Sequence, residues 1–266
     1  MPRIQRAGTM KDRRRLKQYL FVVRELTGRE LKRKYSRSRL GILWSVLNPL
    51  LSMAVISLIF SRMFRRSIEN FPVYYLCGSV LWTLFTTGTN TAMTALVDNK
   101  QMLIKVKIPL QVFVISRVYT AFVNFVYSLI AFVPILLVFR VRLNWTVLFL
   151  PVVVFFELLF TMGFALALSV GYAFYGDIKH LYGVLLTLWM YLSAIFYPVS
   201  SLPDFMVTVV GNNPVYLFVD AMRWIVLEGT LQPFTAFVKM VIWSVGSYLA
   251  GTWIFRRNKD KIMQRL

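Results

Sequence analysis

The sequence predicts an all-α, polytopic membrane protein with six transmembrane helices, an N-terminal amphipathic interface helix, and an outer re-entrant helical hairpin between the fifth and sixth spans. Three observations carry this prediction. Of 266 residues, 58% are hydrophobic and 16% charged, against about 25% charged in an average soluble domain. Charge is also segregated: 14 Lys/Arg against Asp12, Glu25 and Glu30 lie in residues 1–40, part of a net charge of +20. Residues 40–61 then contain no Asp, Glu, Lys or Arg, and about 20 apolar residues suffice to cross a bilayer as helix.

The elements follow in order. Segment 1–39 is a basic cytoplasmic segment. Within it Leu16, Leu20, Val23, Leu26 and Leu31 recur at helical spacing, broken by Phe21, with Arg15, Lys17, Arg24, Arg29 and Lys32 elsewhere around the wheel, the pattern of a helix lying in the membrane interface. The six spans are 40–61, 71–97, 118–139, 143–176 (broken only by Glu157 and expected to tilt or bend at Pro151), 181–203 and 234–255. Together they form a transmembrane unit over 40–256, followed by a cytoplasmic tail, 257–266. Residues 98–112, mixed basic and apolar, form a cytoplasmic loop with room for a short helix before Pro109. Residues 204–233 are too apolar for an ordinary outer loop, yet the uncharged run 205–219 is short for a span and is interrupted by Asn212, Asn213 and Pro214. A re-entrant hairpin fits, because irregular backbone at membrane depth is tolerated where protein or a polar cavity satisfies it.

Six spans put both termini on one side. With that side as cytoplasm, 24 of the 31 Lys/Arg fall inside and seven outside, which orients the chain in the cytoplasmic membrane. The same segregation argues against nucleic-acid binding: the positive charge sits where anionic lipid attracts it. The N-terminus lacks the short apolar core and small-residue cleavage site of a signal peptide. Cys77 and His180 are each the sole residue of their type, so disulfides and Cys/His metal sites are not expected.

Reactive groups are scarce. There is no phosphate-binding loop of the G-x-x-x-x-G-K-[ST] kind, so the chain is not expected to hydrolyse ATP or to be an enzyme. Glu157 is the lone intramembrane carboxylate, read as a structural hydrogen-bonding group rather than a relay. Aromatic residues make up 16% of the chain. Phe71, Tyr75, Trp82 and Phe85 share a stripe of the second span, and Trp189, Phe196 and Tyr197 gather on the fifth. Core packing and interface belts account for such rings; the functional alternative is a conduit whose rings pack on sugar faces. Gly163, Ala167 and Gly171 form a small-residue ridge on the fourth span, for internal packing or an oligomer face.

Residues 29–49, RELKRKYSRSRLGILWSVLNP, resemble the entry to the first span in permease subunits of ABC-2 type polysaccharide and polyol-phosphate exporters, whose pattern is R-[DE]-L-K-x-[RK]-Y-x-x-S-x-L-G-x-L-W-S-x-L-x-P. Arg29, Glu30, Leu31, Lys32, Tyr35, Ser38, Leu40, Gly41, Leu43, Trp44, Ser45, Leu47 and Pro49 match it. Further similar patches are Asn99, Leu103, Ile104, Lys105, Val106 and Pro109; Asn213-Pro214 with Ala221, Arg223 and Trp224; and Tyr191, Ser193 and Pro198. Gly176-Asp177 departs from the family, whose members often carry Arg before the Asp.

The resemblance implies a homodimer, with two copies of a separate ATPase subunit docked on the cytoplasmic side. It thus implies no cofactor in this chain, ATP and Mg being bound by the partner. It implies export of a lipid-linked polysaccharide and covers O-antigen, capsule and teichoic-acid exporters alike. Implied roles are ATPase coupling for Lys100, Lys105, Lys107 and Pro109, and interface-helix or carrier-phosphate contact for Arg29, Lys32, Arg33, Lys34, Tyr35 and Arg37, where topology-setting charge is the simpler account. Phe71, Tyr75, Trp82, Phe85, Trp189, Phe196 and Tyr197 become channel-lining candidates, and Asn213, Pro214, Arg223 and Trp224 exit-hairpin candidates. The alternatives are an ABC permease for a small lipid or drug, a membrane-embedded glycan-modifying enzyme using Glu69, Asp204, Asp220 and Glu228, and a scaffold without transport.

Overall fold

The computed structural model describes residues 2–36, 38–41, 43–63, 68–105 and 108–265, with side chains from residue 17 onward except at 35, 62 and 63. Every regular element among them is helical: α1 (Pro2–Tyr35), α2 (Leu43–Met63), α3 (Phe71–Met93), α4 (Ala95–Asp98), α5 (Lys100–Lys105), α6 (Gln111–Val138), α7 (Leu150–Phe174), α8 (Ile178–Leu192), α9 (Asp204–Gly211), α10 (Pro214–Arg223) and α11 (Phe234–Arg265). Short 3₁₀ turns precede α7 and α9, and a π turn, Trp224–Glu228, follows α10. Four segments, Leu43–Ser61, Gln111–Val138, Trp145–Phe174 and Phe234–Arg265, are long and apolar enough to cross a membrane. This is a multi-pass membrane protein.

The other two expected spans differ from that description for identifiable reasons. Helix α3 has 23 residues, enough length, but its second half, TLFTTGTNTAM, is diluted by threonines. Helix α8 stops at Leu192 after 15 residues, roughly 22 Å of rise against a hydrocarbon layer of about 30 Å. It stops because Ala194 takes φ +46°, a left-handed value that α-helix cannot contain. The 181–203 stretch is therefore a short helix followed by irregular chain. Pro151 does not bend the fourth span; it lies in the first turn of α7, where its missing N–H costs nothing.

The α1–α2 boundary has a local cause. Gly41 adopts φ +50°, open to glycine at no steric penalty, and its N–H donates to Ser38 Oγ at 3.2 Å. That turn separates the basic helix from the apolar one and accounts for a glycine at this place in the sequence.

Helix α3 is the hub, packing on α6, α7, α2 and α10, and α7 pairs along its length with α11. At the α7–α11 crossing the backbones nearly touch. A Cβ added at Gly163 would stand 2.3 Å from the Ser247 carbonyl oxygen, and one at Gly251 would stand 2.0 Å from the Gly163 oxygen. Gly163 of the small-residue ridge thus serves packing within one chain. Near the middle of α3, Phe85 meets Phe160, Phe164 and Trp189 with ring centroids 5.3–5.8 Å apart. In lipid, dispersion contacts of this kind hold helices together, because tails are as apolar as the side chains. A second cluster (Leu26, Leu96, Leu103, Phe113, Phe255) packs the α1 end.

Candidate functional site

Polar side chains placed every third or fourth residue on apolar helices meet in one cleft. Ser45, Asn48 and Ser52 come from α2, Ser79, Thr83 and Thr87 from α3, and Asn124 and Ser128 from α6, with Trp44, Tyr75 and Lys34 at its margins. The cleft holds about 190 Å³. Spacings of three and four put each set on one helix face. Thr83 donates to the Ser79 carbonyl at 2.7 Å and Asn124 Nδ2 to the Thr120 carbonyl at 2.8 Å. Thr83 and Asn124 thus each direct a donor back to their own helix, the local bonding that polar side chains adopt on apolar helices. Lys34 Nζ reaches Asn124 Oδ1 at 3.4 Å. Helix α2, one wall of the cleft, presents Leu51, Val55 and Leu58 outward. Among the described residues the surface is a hydrogen-bonding one beside a lightly held helix, with one cation, Lys34, at its margin; that chemistry suits a polyhydroxylated ligand.

Two buried arginines organise the ends of the bundle. Toward α1, Arg117 of α6 donates to Glu30 Oε2 at 2.6 Å and to Asp98 Oδ2 at 3.2 Å, while Arg29 donates to Asn99 Oδ1 at 2.7 Å. Thr27 donates to the Ser116 carbonyl. These bonds bind α1 to α6 and to the α4–α5 segment. At the far end of α3, roughly 30 Å along its axis, Arg223 Nη2 donates to the carbonyls of Ala194 and Ile195, each at 2.9 Å, and its guanidinium lies 3.5 Å from the Tyr74 ring centroid. Asn213 caps α10 through Val215 N, accepts from Trp189 Nε1 at 2.8 Å and donates to the Leu192 carbonyl. Together Arg223 and Asn213 satisfy the backbone freed where α8 breaks. Asp220 accepts from Tyr216 Oη and Trp224 Nε1; burial pushes its carboxyl above the ordinary range, against the opposing pull of those bonds and of Arg223.

The expected site residues separate accordingly. Lys100, Lys105 and Pro109 are exposed around α5, whose Leu103 is buried as an anchor; Lys107 lies outside the described residues. Lys32 and Arg33 are exposed, the Tyr35 side chain is not among those described, and Arg37 lies outside them. Of the aromatic candidates, Tyr75 lines the cleft. Phe71 and Phe85 are buried inside the chain, Trp82 packs beside Phe85, and Trp189 stands edge-on to Phe85 while bonding Asn213. Phe196 and Tyr197 meet edge to face, with Tyr197 Oη donating to the Tyr191 carbonyl. Asn213, Arg223 and Trp224 hold structural hydrogen bonds at and beside α10, and Pro214 opens that helix. The cleft hydroxyls and the Arg117–Glu30–Asp98 node were not singled out from sequence. The i, i+4 repetition of Ser, Thr and Asn within apolar spans was the available signal for the cleft.

The profile of the ABC-2 type transporter family matches residues 22–227. The O-antigen export system permease protein RfbA of Myxococcus xanthus is 32% identical over 95% of this chain and 98% of its own length. The protein of the same name from Klebsiella pneumoniae is 27% identical, over 80% of this chain and 83% of its own. The polysialic acid transport protein KpsM of Escherichia coli is 20% identical over 91% and 95%.

Proposed function

The chain belongs to the ABC-2 type transporter family, and from that premise we propose that it is the channel-forming permease of a two-component exporter that moves a lipid-linked polysaccharide across the cytoplasmic membrane. The observation that carries the reading is similarity to a named O-antigen export permease over 95% of this chain and 98% of that protein. The cleft chemistry supports it: hydroxyls and amides with one cation accommodate a neutral polyol better than an apolar drug.

In this reading six segments span the membrane, with α3 and α8 completing the four long apolar helices, and α9–α10 form the re-entrant outer hairpin. Both termini are cytoplasmic. Two copies of the chain enclose the conduit, and two copies of a separate ATPase bind ATP and Mg. Closure of the ATPase pair pushes on α5 through Lys100 and Lys105. The Arg117 node passes that displacement to α1 and α6 together, because Glu30 and Asp98 are held by the same guanidinium. The basic face Lys32–Arg33–Lys34 receives the phosphates of the lipid carrier.

Deleting the gene in a glycan-producing strain tests the proposal. The expected result is lipid-linked glycan accumulating inside and none at the surface, reversed by the intact gene. Normal surface glycan in the deletion strain, or surface glycan lacking only a chemical modification, overturns it.

A further inference from the structure

A second cavity, remote from the α2–α3–α6 cleft, opens between the first turn of α3, Pro198–Val199 and α10 with its π turn. Its volume is about 400 Å³, within the ~300–1,000 Å³ of small-molecule sites. Among the described residues, three carboxylates line it, Glu69, Asp220 and Glu228, with one base, Arg223. Arg223 is only 6% exposed. Its Nη2 is committed to two backbone carbonyls, but Nε is buried and has no hydrogen-bond partner among the described residues.

Asp220 is the complementary case. Tyr216 and Trp224 each give one of its oxygens a hydrogen bond, at 3.0 and 3.1 Å, which fixes the carboxyl while leaving further lone pairs unused. Asn70 adds an amide that both donates and accepts. Between these groups lie the rings of Tyr74, Tyr216 and Trp224. Fixed acceptors beside an amide and aromatic rings match a pyranose, whose neighbouring hydroxyls donate and accept in alternation and whose C–H faces pack on aromatic rings. The excess of acids repels an ionised sugar acid and attracts an amino group.

We propose that this cavity is a binding site for a single neutral or amino-bearing hexosyl residue. The glycan-export reading supplies the reason such a ligand is present; the binding itself rests on the cavity alone. The site would hold the glycan at the outer end of the bundle and disfavour polymers of uronic or sialic acids.

The test is saturation-transfer NMR on the purified full-length chain in detergent, with glucosamine, mannose and glucuronate as probes. Glucosamine and mannose are expected to receive saturation, with glucuronate binding about tenfold more weakly or worse. Glu228→Gln is expected to weaken glucosamine about tenfold through loss of a charge-assisted hydrogen bond; Glu69→Gln carries the same test should that variant fail to fold. No saturation of any probe, equal binding of glucuronate and glucosamine, or wild-type binding by the folded variants overturns the assignment. The surface-glycan assay of the deletion strain is independent of all three results, so failure of this site and failure of the export reading are distinguishable.

Discussion

Replacing Gly163 by alanine should damage this protein far more than its size suggests. The added methyl would lie 2.3 Å from the Ser247 carbonyl oxygen, 2.4 Å from its carbon and 2.6 Å from Tyr248 N. All three are backbone atoms of α11, so no side chain can rotate away; the helix must move. Overpacking of this kind costs about 1–3 kcal/mol, and relief by separation loosens the most extensive helix pair in the fold. At about 2–4 °C per kcal/mol for a chain of this size, the unfolding midpoint in detergent should fall by about 2–12 °C. Gly183, on α8, is the control: a Cβ there meets nothing within 4 Å, so Gly183→Ala should be neutral or raise the midpoint through helix propensity. The measurement is thermal unfolding followed by circular dichroism or by loss of the monodisperse peak. A Gly163→Ala variant that melts with the wild type would refute the backbone-contact argument, as would equal effects at the two glycines.

Other consequences can be checked in the same way. Arg117→Met removes the base shared by Glu30 and Asp98; with the Asp98 side chain 41% exposed and therefore partly screened, the loss should sit near the low end of the ~3–5 kcal/mol range for breaking a buried pair, read as a lower unfolding midpoint together with lost export. Arg223→Ala leaves the Ala194 and Ile195 carbonyls without their donor, an expected cost of about 1–3 kcal/mol, and Arg223→Lys should recover only part because a point charge cannot reproduce the guanidinium fork; unfolding midpoints of the two variants decide. Gly41→Ala should cost about 1–2 kcal/mol, the penalty of a left-handed residue bearing Cβ, and an unchanged midpoint would contradict the φ at that turn. Ser79→Val with Thr83→Val should leave the fold intact and reduce surface glycan, whereas undiminished export would remove the cleft from the glycan path.

Much of the architecture was legible in the chain itself. The uncharged runs and the basic block before residue 40 follow from local chemistry: desolvating charge in lipid is costly wherever it occurs, so the four long apolar helices are legible without reference to neighbours. The family was legible too, because the 29–49 pattern is contiguous. The aromatic stripe was harder. Phe71, Phe85 and Trp189 are as apolar facing a partner helix as facing a conduit, and periodicity fixes a helix face without saying what lies opposite. Only packing put Phe85 among Phe160, Phe164 and Trp189.

The same distinction separates the polar residues. From the sequence, Arg117 was one cation among many that mark the cytoplasmic side, and Arg223 was a residue of the family pattern whose contacts the pattern does not give. Tertiary structure decided that one clamps Glu30 to Asp98, 68 positions apart in the sequence, and that the other closes the broken end of α8. Membrane insertion is written in local hydropathy, residue by residue. A buried ion pair, a glycine under a carbonyl, or a cleft of hydroxyls exists only when distant helices come within a few ångströms, and nothing in one helix encodes that distance.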